Sequence, residues 1–325
     1  MIPKVTVLVA VYNAEAFLRD CLDSLIGQSY HDIQVICIDD ASTDGSLDVL
    51  HDYAKRDVRI EVIHLEENEG QAHARNCGLQ RASGDIVCMV DADDRLSVDA
   101  IEQIVAAFDE QTDCVLFDLV FQYADHEKPY SMPHFEKLTG KEAFRLSLTW
   151  EIHGVYAVRA HIHQQYPYDE TCRSYSDDNT TRIHYLHSRQ VRCSTGVYHY
   201  RQHGASTTHH VSVRRFDYLK ANESMRQQML ALGVDQSLLA EYENHRWLNL
   251  VDVYMFYHVH GCELSKAERE YGLQELRRVW ATIDRQVLSK ETTAKFGYRP
   301  CSSWFMFRLQ EWSYFTLRSF LGKNY

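Results

Sequence analysis

Near-continuous apolar runs alternate with stretches in which apolar residues recur every three or four positions, and this alternation organises residues 1–121. Residues 5–11, VTVLVAV, have the pattern of a strand buried on both faces, as parallel strands are. In residues 14–28, Phe17, Leu18, Cys21, Leu22, Leu25 and Ile26 fall at helical spacing, and Asn13 stands where a cap is wanted. A second run, 35–38, ends in Asp39 and Asp40. Ser42, Asp44 and Ser46 then precede a helix reaching about Lys55. A third strand at 59–65 leads into the polar loop EENEG, a helix at 71–82 closed by Gly84, and a fourth strand at 86–90. An amphipathic helix at 98–110 and a fifth strand at 114–121 follow. Repeated βα units predict an α/β fold with a doubly wound, mostly parallel sheet flanked by helices and right-handed crossovers.

From residue 211 the pattern becomes helical without intervening strands, at 213–232, 236–260 and 266–287. The chain is therefore read as a domain over 1–210, in halves 1–121 and 122–210, and a helical region over 211–325 with an amphipathic tail. In the tail, Phe305, Leu309, Trp312 and Phe315 recur at helical spacing, with Arg308, Arg318 and Lys323 against one acid, Glu311. Such a helix suits a membrane interface, its own domain or a second subunit of a homo-oligomer.

The chemistry concentrates at residues 87–94, VCMVDADD, where a buried strand ends in Asp91, Asp93 and Asp94. Neighbouring carboxylates repel, so a cation is expected between them. Oxygen donors without nearby cysteine favour a hard ion, Mg²⁺ or Mn²⁺, which keeps coordination sites for phosphate. An Asp-rich turn capping the next helix is the other use of this pattern. In open α/β sheets ligands bind beyond the carboxyl ends of the strands. That rule gathers Val11, Tyr12, Asp39, Asp40, Asn68, Gly70 and Asp91 to Asp94 into one crevice. VYNAEA after the first strand is not the glycine-rich turn of a dinucleotide fold.

Composition narrows the class. A net charge of −12 leaves no basic stripe for nucleic acid. Nine scattered cysteines without a CxxC pair, with Cys37, Cys88 and Cys114 inside apolar runs, read as buried thiols of a reducing compartment. The N-terminus is too soon polar for a signal peptide, no apolar run reaches the roughly 18 residues of a membrane span, and a cytoplasmic location is expected. Most of the 18 histidines, including His209 and His210, read as surface residues, and His161 and His163 make an HxH on a strand with no third zinc ligand in sight.

The segments VTVLVAVYNAEAFLRDCLDSLIGQSYHDIQVICIDDASTDGS and ENEGQAHARNCGLQRASGDIVCMVDADD resemble the two opening segments of the family 2 glycosyltransferases, at that family's spacing. The resemblance implies a GT-A fold and a metal-dependent, inverting transfer from a nucleoside diphosphate sugar, UDP-linked in the first instance. By correspondence Ala10, Val11, Tyr12 and Asp40 line the base pocket, where a carboxylate accepts the uracil N–H. Asp91 lies near ribose and metal, Asp93 holds the metal, and Asp94 is its neighbour in the metal site. Asp39, Asn68, Gly70, Arg75 and Ala92 join the nucleotide-sugar site. SYSDDNTTRIHYL resembles the family's acidic pair before a helix, with Asp in place of the usual Glu; Asp178 corresponds to the catalytic base and Asp177 to its support. Capping of that helix by the same two residues is the structural alternative.

VYHYRQHGASTTHH resembles the segment that closes the site, with Arg201 and His203 within reach of diphosphate or metal and Ser206 offering a hydroxyl. Residues 122–170, with Trp150, Tyr156 and Tyr168, are expected to set acceptor choice, although aromatic side chains also fill cores. The implied acceptor is a hydroxyl of a saccharide or lipid-linked saccharide in cell-surface polysaccharide synthesis, as in capsule, O-antigen or lipooligosaccharide. Two other readings stand beside it: a nucleotidyltransferase, which would want a glycine-rich basic loop after the first strand, and a non-catalytic nucleotide-sugar-binding scaffold subunit.

Overall fold

The apolar runs become the inner strands of one sheet. In the computed structural model, which describes residues 2–133, 135–172, 174–204 and 211–323, β1 (Val5–Val11) pairs in parallel with β2 (Ile33–Asp39) on one side and β4 (Ile86–Met89) on the other. β3 (Ile60–His64) lies outside β2, also parallel. Helices α1 (Glu15–Ile26), α2 (Ser46–Arg56) and α3 (Gln71–Leu79) are the crossovers between these strands. Beyond β4 come β5 (Arg95–Leu96), α4 (Ala100–Ala107), β6 (Thr112–Gln122), β7 (Glu127–Pro129), β8 (Lys137–Thr139), α5 (Gly140–Leu148), β9 (Tyr156–Arg159), α6 (Ala160–Gln165), α7 (Asp177–His187) and β10 (Gln190–Arg201). Among the described residues the sheet order is β3-β2-β1-β4-β9-β6-β10-β5, with β7 on β6 and β8 on β10.

The sheet is mostly parallel, as the alternation predicts, but not throughout. β9 runs antiparallel to both β4 and β6, and β5 antiparallel to β10. A four-residue or two-residue strand is too short for its period to be read among helices. The interior of the sheet is apolar on both faces: Val5, Val7, Val9 and Val35 pack beneath α1 and α2, while Leu8, Ile36, Ile38 and Val87 face α3.

Several local expectations are corrected. Asn13 does not cap α1: it adopts a left-handed backbone, φ 50°, and its Oδ1 accepts from Thr43 N at 2.8 Å, while Ala14 occupies the cap. The helix from residue 71 stops at Leu79, and Gly84 instead approaches β1, where an added Cβ would lie 2.6 Å from Thr6 N. His161 and His163 lie on helix α6, not on a strand. His153, His163, His184 and His245 are buried, contrary to a general surface reading. The thiols of Cys37, Cys88 and Cys114 are buried, and all nine cysteines are free. Of the acceptor-region aromatics, Tyr156 and Tyr168 are buried and Trp150 is exposed.

The chain divides into two compact units, Met1–Arg173 with Thr180–Ser206, and Ser174–Asn179 with Thr207–Tyr325. The second contains a 3₁₀ turn (Val213–Phe216) where an α-helical start was expected, then α8 (Asp217–Ala231), α9 (Gln236–His260), α10 (Lys266–Thr282), α11 (Lys290–Thr293) and α12 (Trp304–Phe320). Phe216, Trp247, Leu250, Tyr254, Leu276, Phe307 and Phe315 make its core. Ser206, His209 and His210 lie outside the described residues.

Candidate active site

Two polar clusters form at the carboxyl ends of the parallel strands. At the end of β2, Asp40 extends the ladder by donating its N–H to Val11 O at 2.8 Å. Its carboxylate is nearly buried and organises the turn before α3: Oδ1 accepts from Glu69 N, and Oδ2 from Gly70 N and Asn68 Nδ2, each at 2.9 Å. Gly70 has φ 99°, a conformation that only glycine takes without strain, so this turn needs both its acid and its glycine. Asp39 faces the other way. Its Oδ2 lies 2.8 Å from His64 Nδ1, and its buried Oδ1 has no partner among the described residues. Tyr12 is 52% exposed at the rim of the same crevice, whereas Val11 is buried.

At the end of β4 three neighbouring carboxylates are held in three different ways. Asp91 Oδ1 accepts from Arg75 Nη2 at 2.6 Å and from Gln71 Nε2 at 2.9 Å. Arg75 is 1% exposed, and its guanidinium carbon lies 5.2 Å from the centroid of the Tyr168 ring. Asp93 Oδ2 lies 3.0 Å from His203 Nε2, and Asp93 O accepts from Arg201 Nε at 2.9 Å. Asp94 points inward: Oδ2 accepts from Tyr198 Oη and Oδ1 from Arg201 N, both at 2.7 Å. Burial pushes its carboxyl up to about 8, with the charges of Asp91 and Asp93 adding to the shift. Ala92 is buried in the sheet core.

The end of β10 closes over these acids. Arg201 Nη2 donates to Asp20 Oδ2 at 3.0 Å, its guanidinium lies over the Phe17 ring, and Phe17 stacks on His203 with centroids 4.4 Å apart. A cavity of about 390 Å³ opens beside them, lined by Asp20, Arg95, Gln122, Tyr123, Arg201 and His203, with Ala124 and Gln202. Gln71, Tyr198, Asp20 and Arg95 were not singled out as site residues from sequence, and Phe17 was read only as part of the apolar face of α1. Tyr198 matters most, since its hydroxyl accepts from Asp91 N at 3.0 Å while donating to Asp94. Only the strand register, which no period reveals, places it there.

Among the described residues no three His, Cys, Asp or Glu side chains are grouped to enclose a metal ion. The donors that do face each other, a carboxylate oxygen of Asp93 and an imidazole nitrogen of His203, fit a hard divalent ion that takes its remaining ligands from substrate oxygens and water. His203 Nδ1 is buried without a partner among the described residues, so its ring is held by stacking rather than by a fixed hydrogen bond on that side.

Asp177 and Asp178 stand in the first turn of α7 and belong to the second unit, where both are partly exposed. The next residue fixes the helix start: Asn179 Nδ2 donates to Ala221 O of α8 at 2.8 Å. Just before, Tyr175 has a left-handed backbone, φ 67°, and packs edge-on against Tyr218. In the first unit the later part of α7 is pinned by His184, whose Nδ1 lies 2.7 Å from Tyr156 Oη and Nε2 2.7 Å from Tyr166 O.

Comparison with known proteins fits this architecture. Residues 6–166 match the family model described as glycosyl transferase family 2. EpsH of Bacillus subtilis (strain 168), itself named a glycosyltransferase only provisionally, is 27% identical over 313 residues, spanning 92% of this chain and 88% of its own. Residues 1–349 of TarS from S. aureus, solved with UDP-GlcNAc, share the fold with a TM-score of 0.75 at 20% identity, over 98% of this chain and 92% of that one. The mannosyltransferase PcManGT from Pyrobaculum calidifontis, solved with GDP-Man and Mn²⁺, gives a TM-score of 0.53 at 17% identity, over 99% and 88%. Matched domain, near-full-length relative and shared GT-A architecture agree: residues 6–166 form a glycosyltransferase family 2 domain.

Proposed function

We propose that this glycosyltransferase moves a sugar, with inversion, from a UDP-linked donor to a hydroxyl of a saccharide or lipid-linked saccharide during cell-surface polysaccharide synthesis. The observation that carries the reading is the pairing of Asp93, just past β4, with His203, just past β10, with Arg201 Nε donating to Asp93 O beside it. In this reading Asp93 and His203 hold Mn²⁺ or Mg²⁺, with Asp91 nearby and Asp94 given the structural role its two internal hydrogen bonds support. When bound, the ion offsets the charge of the leaving diphosphate. TarS and PcManGT were solved with nucleotide-sugar donors, and PcManGT with Mn²⁺, which supports a donor and an ion of these classes here.

Asp40 reads the uracil N–H with lone pairs that its three loop contacts leave over, and Tyr12 offers an exposed ring face at the same rim. Asn68 and Gly70 shape that turn, and Asp39 braces the end of β2 from the other side through His64. Arg75 acts through Asp91, setting its carboxylate. Asp178 takes the acceptor proton and Asp177 supports it, since a single displacement needs a base on the sugar face opposite the leaving group. The cavity beside Arg201 offers guanidinium, amide and carboxylate groups with one aromatic ring, a set suited to pairs of sugar hydroxyls. Nine free thiols suit a reducing, cytoplasmic setting.

The test has two parts. UDP should stabilise the protein against heat only when Mn²⁺ or Mg²⁺ is present, by roughly 2.7 kcal/mol at about 100 times its dissociation constant, and Asp93→Asn should remove the effect. Asp178→Asn should lower turnover by about 10²–10⁴-fold with donor binding intact. Full activity in that variant refutes the base assignment. Absence of any nucleotide response refutes the donor assignment, and a nucleotide response without any transfer activity favours the scaffold reading.

A further inference from the structure

Helix α12 is apolar on opposite sides, and only one side has a partner. Phe307 and Phe315 are buried against Trp247 and Tyr254, and Glu311 between them is fully buried, so the orientation of the helix within its unit is fixed. On the other side Phe305, Met306, Leu309, Trp312, Leu317 and Phe320 are each about half exposed or more, Phe305 at 73% and Phe320 at 85%. A helix that is apolar all round is ordinarily buried all round. Contiguous exposed apolar surface marks a place where something else binds.

The charges around the face say what that is. The loop before α12 is held beside it by Gln310 Nε2 donating to Arg299 O at 3.0 Å and by Phe296 packing edge-on against Tyr314. It adds Phe296, 52% exposed, together with Lys295 and Arg299. Residues 295–323 therefore carry Lys295, Arg299, Arg308, Arg318 and Lys323 against one acid, Glu311. That acid is turned into the core, and burial holds its carboxyl up at about 8. The face is cationic on a chain whose net charge is −12.

We propose that α12 and the loop before it form a peripheral docking face for an anionic lipid surface. Phe305, Leu309, Trp312 and Phe320 enter the headgroup boundary, and the flanking Lys and Arg side chains meet acidic headgroups. A second copy of this chain fits the same face poorly. A two-fold contact would set each patch against its own image, cation against cation. The inference goes beyond the donor and acceptor chemistry proposed above and stands on the tail alone.

The full chain is tested by flotation with vesicles of phosphatidylcholine alone and of phosphatidylcholine rich in phosphatidylglycerol. Binding is expected with the acidic vesicles, weakened by high salt as exposed charges are screened. The combined variant Phe305→Ser, Trp312→Ser, Phe320→Ser should lose it while keeping its circular dichroism and melting temperature. Arg299→Gln, Arg308→Gln and Lys323→Gln leave the apolar stripe intact, so they test the charge argument even where the serine variant folds poorly. Each is expected to lower vesicle partitioning about fivefold. No flotation with acidic vesicles overturns the proposal. So does a concentration-dependent dimer in sedimentation that the serine substitutions abolish while flotation is unchanged, since the face would then bind a second copy.

Discussion

Asp91, Asp93 and Asp94 are adjacent in sequence, yet their surroundings give them different tasks. Asp91 is the carboxylate partner of a guanidinium that is almost wholly buried, and removing one member of a buried ion pair is far costlier than removing an exposed one. Asp91→Ala is expected to destabilise the fold by on the order of 3 kcal/mol in urea unfolding. Asp93 meets His203 at a half-open rim, where such pairs are worth about 0–1 kcal/mol. Asp93→Asn should leave the unfolding midpoint within about 0.5 kcal/mol while abolishing the ion-dependent nucleotide response. Asp94 sits between these cases. Tyr198→Phe strips it of a buried hydroxyl donor, with a cost of about 1–3 kcal/mol and no new cavity. Equal losses of stability in the Asp91 and Asp93 variants would contradict this division.

Elements whose apolar pattern and length admit one kind of structure are legible in the sequence. β1 (Val5–Val11) and α9 (Gln236–His260) fall where the apolar pattern puts them, β1 because an unbroken apolar run of that length marks a strand covered on both faces, and α9 because an apolar-rich stretch of 25 residues without Gly or Pro is too long for a strand. The antiparallel entries of β9 and β5 were not legible, since register and direction depend on distant partners. The same limit applies at the candidate site. VCMVDADD announced a cluster of acids, but which of them faces inward depends on Tyr198 and Arg201, more than 100 residues later. Histidine was misread for a related reason. His184 can be buried because Tyr156 and a backbone carbonyl satisfy both ring nitrogens, a fit invisible from composition. Packing can also reverse a propensity rule. Alanine in place of a mid-helix glycine normally gains about 1 kcal/mol. At Gly272 of α10, however, an added Cβ would lie 2.2 Å from the ring of Phe216, which is wholly buried and cannot swing away. Overpacking costs about 1–3 kcal/mol, so Gly272→Ala should destabilise by about 1 kcal/mol or more, seen as a lower urea midpoint.

Buried titratable groups in each unit set how its stability responds to pH. In the first unit burial lowers His153 and His184 from 6.5 to about 4 and His163 well below its usual range, the last helped by neighbouring His184 and Arg75. A lowered folded pKa means that the unfolded chain takes up protons first. The contribution of these groups is complete above about pH 6.5 and is lost as pH falls toward 4, by on the order of 3 kcal/mol for each of His153 and His184. In the second unit burial raises Glu311 from 4.5 to about 8, with Gln310 its neighbour on one oxygen and the other oxygen without a partner among the described residues. Here the folded chain holds the proton more tightly, so stability is fullest below about 4.5 and declines as pH rises through 8. Calorimetry between pH 4 and 9 should therefore show acid weakening the unit that contains the sheet, and rising pH weakening both units, the helical one through Glu311 and the sheet unit through Asp94, whose carboxyl burial also raises to about 8. Glu311→Gln keeps the shape and removes the ionisation, so it should flatten the decline of the helical unit with rising pH, by on the order of 4 kcal/mol at pH 8, and leave the acid limb untouched. A decline of the helical unit with rising pH that was undiminished in Glu311→Gln would place its origin elsewhere. His184→Asn should act on the opposite limb alone, and that separation tests whether the buried groups set the pH limits of their own units.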